Sequence, residues 1–337
     1  MINTLIVDDS SMVRDILRDF LEEEGNFNII GEAVDGEDGV EKILSLNPDL
    51  VTLDLEMPKM NGLQVIETVM KKASVPIVVI TSHDTAKTAY EATLRVALEF
   101  YPKDLFTSNL PEAKRKEIYE TLKRISGVKS RISVPTADAL LMDMPEKRMI
   151  QAVVVASSTG GPKALSSFFS AFPGDFPVPV IVVQHNTVGF DEIFAQWLDA
   201  YTVLRVKLAE EGEVPAAGKI YIAKTGKHLE LGTGAQGLCL RYNNNEPEQN
   251  QKPAADVLFR SAAENLKKSV ISVVLTGMGS DGALGTKKIR EMGGITLAQD
   301  EKTSLIYGMP KAAAETGCVD MIMPLDRIPE ELVRLTK

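Results

Sequence analysis

An α/β protein with two doubly wound domains is the architecture this sequence predicts. Three observations carry that expectation. Short apolar runs alternate with segments of helical period through most of the 337 residues, as parallel strands joined by crossover helices do. Most runs stop abruptly at polar residues able to do chemistry. Between 125 and 149 the alternation lapses, and SGVKSRISVPTADALLMDMPEKRM, with Gly127, Pro135 and Pro145, reads as a linker. The expected organisation is a domain over 1–124, a linker over 125–149 and a second domain over 150–337. Within the linker, 140–144 is apolar enough to pack against a domain, though an inert tether is as good a reading.

In the first domain a strand over 4–7 ends at Asp8 and Asp9. A helix follows, with Val13, Ile16, Leu17 and Phe20 on one face. A strand over 28–34 leads to a helix over 37–46, closed by Asn47-Pro48. The strand over 49–53 ends at Asp54, and the loop EMPKMNG enters the helix LQVIETVM. A strand over 76–80 ends at Thr81 and Ser82. A helix over 85–95, a strand over 97–101 ending at Pro102-Lys103, and an amphipathic helix over 110–125 complete a five-stranded parallel sheet. In such sheets functional residues gather at the carboxyl ends of strands. Asp8, Asp9, Asp54, Thr81 and Lys103 would therefore share one crevice. Crowded carboxylates repel and call for a cation; oxygen ligands with room for water and phosphate suit Mg²⁺.

The second domain opens on QAVVVASSTGG. A buried strand over 153–156 breaks into Ser157, Ser158, Thr159, Gly160 and Gly161, and Pro162 starts a helix. A helix N-terminus there aims free N–H groups at the turn. From this stretch alone, a structural or phosphate-cradling turn outweighs a nucleophile. The strand over 179–183 ends at Gln184, His185 and Asn186, and FDEIFAQWLDA is an amphipathic helix. A strand over 202–208 follows. Short strands over 219–223, 228–231 and 238–242 read as an antiparallel annex, and 242–252 as a mobile polar loop. A helix over 256–266 precedes the buried strand 270–275, which ends in TGMGSDGALG. A helix over 286–291 and a strand over 295–298 come next. The sheet is mostly parallel.

Serine is a poor nucleophile at neutral pH. It needs a base such as imidazole, and the imidazole needs a carboxylate to fix its tautomer and stabilise its cation. Of the three histidines, His83, His185 and His228, His83 belongs to the first domain and only His185 ends a buried strand. Asp281 lies in the glycine-rich turn after a third strand. Each alone has a bland reading, as a loop residue or a helix cap; together, at one sheet edge, they read as a triad. The order Ser, His, Asp and the absence of GxSxG argue against an ordinary α/β-hydrolase.

The first domain resembles the receiver domain of two-component response regulators. That resemblance implies that Asp54 is phosphorylated by a histidine kinase. It also implies Mg²⁺ on Asp9, Asp54 and the backbone carbonyl of Glu56, with Asp8 helping. Thr81 and Lys103 would contact the phosphoryl group, and Phe100 would be the switch aromatic. Here Asp104 follows the lysine and Pro102 precedes it, whereas receivers usually carry proline directly after it. ASSTGG, VVQH, LTGMGSDGALG, PAADVLFRSAAE and AQDEKTSLIYGMPKAA resemble the catalytic domain of chemotaxis protein-glutamate methylesterases, the CheB family, which joins both domains. The resemblance implies that Ser158 is the nucleophile, His185 the base and Asp281 its orienting acid. It places Thr159 and Met278 beside the oxyanion site. It implies hydrolysis of γ-glutamyl methyl esters on methyl-accepting chemotaxis receptors, deamidation of receptor glutamines in many members, and a receiver that restrains the esterase until phosphorylated. No cluster in residues 150–337 combines His, Cys and carboxylates at metal-ligand spacing, so the hydrolysis is expected to need no cofactor. The chain departs from the family at Asn186-Thr187-Val188, at 223–228 before and including His228, and at Ala254-Ala255. His228 is expected to be a loop residue near the site, without assigned chemistry.

Composition narrows the alternatives. Net charge is −10. Residues 1–130 carry 15 Lys+Arg against 23 Asp+Glu, and the remainder 22 against 24. Neither half offers the positive footprint that nucleic acid needs. Two cysteines make no disulfide framework. MINTLIVDDSS is no signal peptide, and no apolar run approaches a membrane span, so a cytoplasmic protein without membrane insertion is expected. Two rivals remain: a non-enzymatic phospho-switch whose output domain binds partners, and a nucleotide-binding output domain. GxGxxG is absent, and the strand from 179 ends in Gln184-His185 rather than a ribose-binding acid.

Overall fold

The computed structural model describes residues 1–82, 90, 92, 98–107, 110–128, 149–235 and 237–337. The expected helix over 85–95, apart from Tyr90 and Ala92, and most of the linker, with its apolar 140–144, lie outside the described residues. The chain divides into two compact units, Met1–Val134 and Pro135–Lys337.

In the first unit five strands, β1 (Ile2–Val7), β2 (Phe27–Ala33), β3 (Leu50–Leu53), β4 (Ile77–Thr81) and β5 (Glu99–Pro102), pair in parallel in the order β2-β1-β3-β4-β5. β3 and β4 are buried throughout, which is why they read as unbroken apolar runs. The helix Ser11–Glu23 starts at Ser10, whose hydroxyl accepts the Val13 amide. The helix Gly36–Leu46 is capped by Asp35 and stopped by Asn47 in the left-handed region. Asn61 and Gln64 form a capping box for Gly62–Met70. Glu112–Ser126 closes the unit, its Ile118, Tyr119, Leu122 and Ile125 packed with Ile6, Leu17, Phe20 and Phe27. Register does the rest: Val7 pairs with Leu53, Leu53 with Val79, and Thr81 with Pro102. The residues just beyond these pairs are Asp8, Asp54 and Lys103.

The second unit holds a seven-stranded parallel sheet of β6 (Ala152–Ser157), β7 (Val180–Gln184), β8 (Arg205–Leu208), β9 (Lys219–Ile222), β12 (Val270–Val274), β13 (Ile295–Gln299) and β14 (Met321–Met323), in the order β14-β13-β12-β6-β7-β9-β8. From β6 the chain winds one way to β7, β9 and β8; from β12 it winds the other way. The switch point lies between β6 and β12, where crevices open in such sheets. Two strands alone, β10 (His228–Gly234) and β11 (Gly237–Asn243), form the antiparallel annex.

Three expectations change. The strand expected over 219–223 is not in the annex: β9 lies inside the main sheet, parallel to both β7 and β8. Ile220, Tyr221 and Ile222 are buried in succession, which only a strand covered on both faces requires. The strand expected from 202 begins at Arg205, because the Thr202 hydroxyl accepts the Leu204 amide and donates to Phe169 O, making a local turn. The stretch 242–252, expected to be mobile, is pinned: Glu248 and Gln251 exchange backbone bonds, Glu248 pairs with Arg260, and Gln249 reaches Asp256 and Ser280.

Candidate active site and phospho-acceptor crevice

Ser158 follows β6 directly. Its amide donates to Thr276 O at 3.0 Å, tying it across the switch point to the loop after β12. Gly277 allows this approach, since a Cβ there would lie 2.8 Å from Ser158 Cβ. After Ser158 and the buried Thr159, Gly160 takes φ 75° and opens the helix Gly161–Ser170, whose first turn contains Pro162. His185 follows β7, one residue past the Ser157–Gln184 pair, and its amide donates to Ser157 O at 3.0 Å. Met278, half-buried, follows Gly277 in the loop after β12.

Asp281 comes from that same loop. Its Oδ2 lies 2.8 Å from Nε2 of His185, with both side chains almost fully buried. The carboxylate also accepts three amides: Ala255 at 2.6 Å on Oδ2, and Asp256 and Gly282, each at 2.9 Å, on Oδ1. Burial alone would raise the Asp281 carboxyl. The His185 hydrogen bond and charge and the two helix amides outweigh it and hold the group below the usual carboxylate range. With Nε2–H committed to Asp281, Nδ1 is the basic nitrogen of His185. It is buried and has no partner among the described residues. Ser158, His185 and Asp281 thus follow β6, β7 and β12 at one sheet edge, with the imidazole of His185 held on the Asp281 carboxylate.

His228 does not lie in a loop. It is the first residue of β10 and fully buried. Its Nδ1 accepts the Ala254 amide at 3.1 Å and its Nε2 bonds Glu246 O at 3.0 Å, so both ring nitrogens are spent on backbone.

In the first unit Asp8, Asp9 and Asp54 present carboxylate oxygens within 4.8 Å of one another. Lys103 Nζ lies 2.8 Å from both Asp8 Oδ2 and Asp54 Oδ2. Burial lowers the Lys103 ammonium, but its two carboxylate partners outweigh that and raise it. Burial raises the Asp8 carboxyl despite Lys103. Pro102 ends β5 and Lys103 opens a short 3₁₀ turn, Lys103–Leu105, so the unusual proline position leaves the ammonium on the acids. Thr81 is buried at the end of β4; Phe100 packs edge-on to Tyr90 at 4.9 Å between centroids. The carboxylate trio is a hard-oxygen donor set of the kind that fits Mg²⁺.

Residues 153–332 match the model of the CheB methylesterase family, and residues 4–115 that of the response regulator receiver domain. The chain belongs to the CheB methylesterase family. A protein-glutamate methylesterase/protein-glutamine glutaminase of Pyrococcus horikoshii is 39% identical over 343 residues, 99% of this chain and 93% of that one. One from Clostridium acetobutylicum is 37% identical over 341 residues, 100% of this chain and 98% of that one. The crystal structure of the Thermotoga maritima CheB methylesterase catalytic domain superposes with a TM-score of 0.54 at 39% identity, over 56% of this chain and 100% of that one. The protein is therefore a chemotaxis protein-glutamate methylesterase, a hydrolase joined to a receiver domain. No helix among the described residues is long and apolar enough to cross a membrane.

Within this CheB-type unit the structure adds residues that sequence reasoning passed over. Gln184 is buried. Its Nε2 donates to the carbonyls of both Ser158 and His185, each at 3.0 Å, while its Oε1 accepts the Ser157 hydroxyl at 2.6 Å. Asp191, the first residue of the helix Asp191–Asp199, receives the Thr225 amide at 2.8 Å and also its hydroxyl, joining the segments after β7 and β9 where two of the family departures fall. Asp256 and Gln249 stand behind Asp281. Gln184 lay in the VVQH stretch beside His185 and Asp256 in the PAAD stretch, which were the available signals; Asp191 and Gln249 had none.

Proposed function

We propose that this protein is a phosphorylation-activated methylesterase acting in the cytoplasm on methyl-accepting chemotaxis receptors. The organisation proposed is a receiver over 1–124, a linker over 125–149 and an esterase over 150–337. Ser158 Oγ attacks the γ-glutamyl ester carbonyl and gives its proton to His185 Nδ1. Asp281 steadies the imidazolium from the Nε2 side. The oxyanion forms beside Thr159 and Met278, at the N-terminus of Gly161–Ser170, whose dipole favours negative charge. The intermediate collapses as His185 returns the proton to the leaving oxygen, releasing methanol. Water, deprotonated by His185, then attacks the acyl-serine; the acyl–Oγ bond breaks, the proton passes from His185 to Ser158 Oγ, and glutamate is released. The same sequence with a carboxamide releases ammonia, which is glutamine deamidation. Hydrolysis uses no metal.

In the receiver, Asp54 accepts a phosphoryl group from the chemotaxis histidine kinase. Asp8, Asp9, Asp54 and the Glu56 carbonyl would hold Mg²⁺, which neutralises charge on the incoming group. Thr81 and Lys103 bind the phosphoryl oxygens, and Phe100 follows them as the switch aromatic.

The observation that carries the esterase reading is the 2.8 Å His185–Asp281 contact beside Ser158 at the β6–β12 switch point. A methanol-release assay on methylated receptor membranes, with and without a phosphodonor, tests it. Absence of methanol in both arms would leave the non-enzymatic phospho-switch standing.

A further inference from the structure

A second carboxylate sits behind the triad acid. Asp256 is 1% exposed, in the first turn of the helix Ala255–Leu266. Its amide donates to Asp281 Oδ1 at 2.9 Å. Its own carboxylate accepts the Gly285 amide on Oδ1 at 2.7 Å and the Gln249 side chain on Oδ2 at 2.7 Å. Gln249 in turn accepts the Ser280 hydroxyl at 2.5 Å, next to Asp281. The approach of Gly285 is a built feature: a Cβ there would lie 2.4 Å from Phe259 Cβ and 3.2 Å from Asp256 Oδ1.

A tether between these segments would not need a charge. An asparagine of the same shape would satisfy the Gly285 amide and, with Gln249 turned over, the loop side as well. An ionised carboxylate here carries a larger desolvation cost than an amide. What it adds is a negative charge close to Asp281 in a region of low dielectric. We propose that Asp256 is a positioning residue of the esterase, a second buried negative charge that acts on His185 through Asp281. The inference rests on the reading of His185 and Asp281 as base and orienting acid.

The surroundings of Asp256 are otherwise nearly free of charge. Asp281 faces it from the loop after β12. Arg260 lies one turn along its own helix and is paired with Glu248 of the loop 244–253. The helix Ala283–Glu291 contributes the Gly285 amide. β6, β10 and β12 meet the helix with Val154, Ala156, Leu229, Leu231 and Val274, and His228 reaches the Ala254 amide. Lys267 and Lys268 stand at the far end of the helix. Burial pushes the Asp256 carboxyl up to about 6; the Gly285 amide opposes this, the Asp281 charge adds to it, and Arg260 opposes it. Above that pH, His185 is backed by two charges; below it, by one. The imidazolium formed during acylation is then less stabilised.

The test compares the full-length protein with its Asp256→Asn variant on methylated receptor membranes, following kcat and KM across about pH 5 to 9. The variant should move the acid limb of kcat/KM down by roughly half a pH unit or more and lower kcat several-fold, with KM unchanged. A purely structural role would lower Tm and leave the pH profile superimposable, and that result overturns the proposal. Should the variant not fold, the wild-type protein decides by NMR. The Asp256 carboxyl carbon and the His185 ring signals are followed together against pH; a His185 ring signal blind to the Asp256 transition overturns the idea. His185→Ala run alongside separates the two levels. If it keeps near-normal rates, the triad reading fails. If it is inactive while Asp256→Asn leaves the profile in place, only the role of Asp256 fails.

Discussion

Oδ2 of Asp281 lies 2.8 Å from Nε2 of His185, and the same oxygen accepts the Ala255 amide at 2.6 Å. The carboxylate that orients the imidazole is thus also the cap of the helix Ala255–Leu266, which has no side-chain cap of its own. Orientation of the imidazole is thereby locked to a rigid element rather than left to a loop.

Replacement of Ser158, His185 or Asp281 by alanine should each cripple methanol release. In well-studied triads such losses run to about 10⁴–10⁶ in kcat and are non-additive. Asp281→Asn should be the mildest, because it spares shape while favouring the wrong tautomer. Asp281→Ala should also lower stability by roughly 1–2 kcal/mol through the lost cap, read as a fall in denaturation midpoint. A Ser158→Ala enzyme with near-normal turnover would remove the nucleophile assignment.

Gln184 holds the carbonyls of both Ser158 and His185 with one amide. Gln184→Glu should therefore cost more than its near-identical shape suggests, since a carboxylate oxygen would face two carbonyls. Gly161→Ala should act on the same staple, because its Cβ would fall 1.9 Å from Gln184 Oε1. Both variants should lower kcat by at least about tenfold. Wild-type kcat in either, measured by methanol release, would show that the staple is dispensable.

Acid stability should follow two opposed carboxyls. Asp256 is raised in the folded state, so its contribution grows as pH falls through about 6. Asp281 is lowered, so its contribution is full above the unfolded carboxylate range and is lost as pH falls through its folded value. Stability of the second unit should thus rise slightly on mild acidification and then drop. Denaturant midpoints against pH check this; Asp256→Asn should abolish the rise and keep the drop.

Chelation should separate the two units. EDTA should stop phosphorylation of Asp54 while basal ester hydrolysis by a chain beginning at Met149 continues, since no described group of His, Cys or acidic residues in that unit could hold a metal. Loss of its basal hydrolysis in EDTA would count against a metal-free triad.

Phosphorylation should raise methanol release, and Asp54→Asn should stay basal whatever the phosphodonor. A phosphoryl group adds roughly −1.5 to −2 charges beside Lys103. A full reversal from 1:99 to 99:1 needs only ~5.5 kcal/mol of differential binding. The chain beginning at Met149 should outpace the unphosphorylated full-length protein; equal rates would mean that the receiver does not restrain the esterase.

The sequence by itself determined the two doubly wound domains and the residues at their strand ends. Buried parallel strands announce themselves as apolar runs, and the break from Val155-Ala156 into Ser157-Ser158, or from Leu53 into Asp54, marks a carboxyl end in local chemistry alone. Only the tertiary structure decided which strands are neighbours and what stands behind each functional side chain. β9 looked like annex because a four-residue strand carries no record of its partners, and parallel or antiparallel pairing is chosen by elements far away in the chain. His228 looked like a loop residue for the same reason: nothing near it in sequence shows that Ala254 and Glu246 will take both its nitrogens. Asp256, Gln184 and Gln249 became visible only once sheet order and helix docking placed their amides and carboxylates. A polar group's partner is settled by register and packing over tens of residues, whereas a strand's end is settled by the residues that compose it.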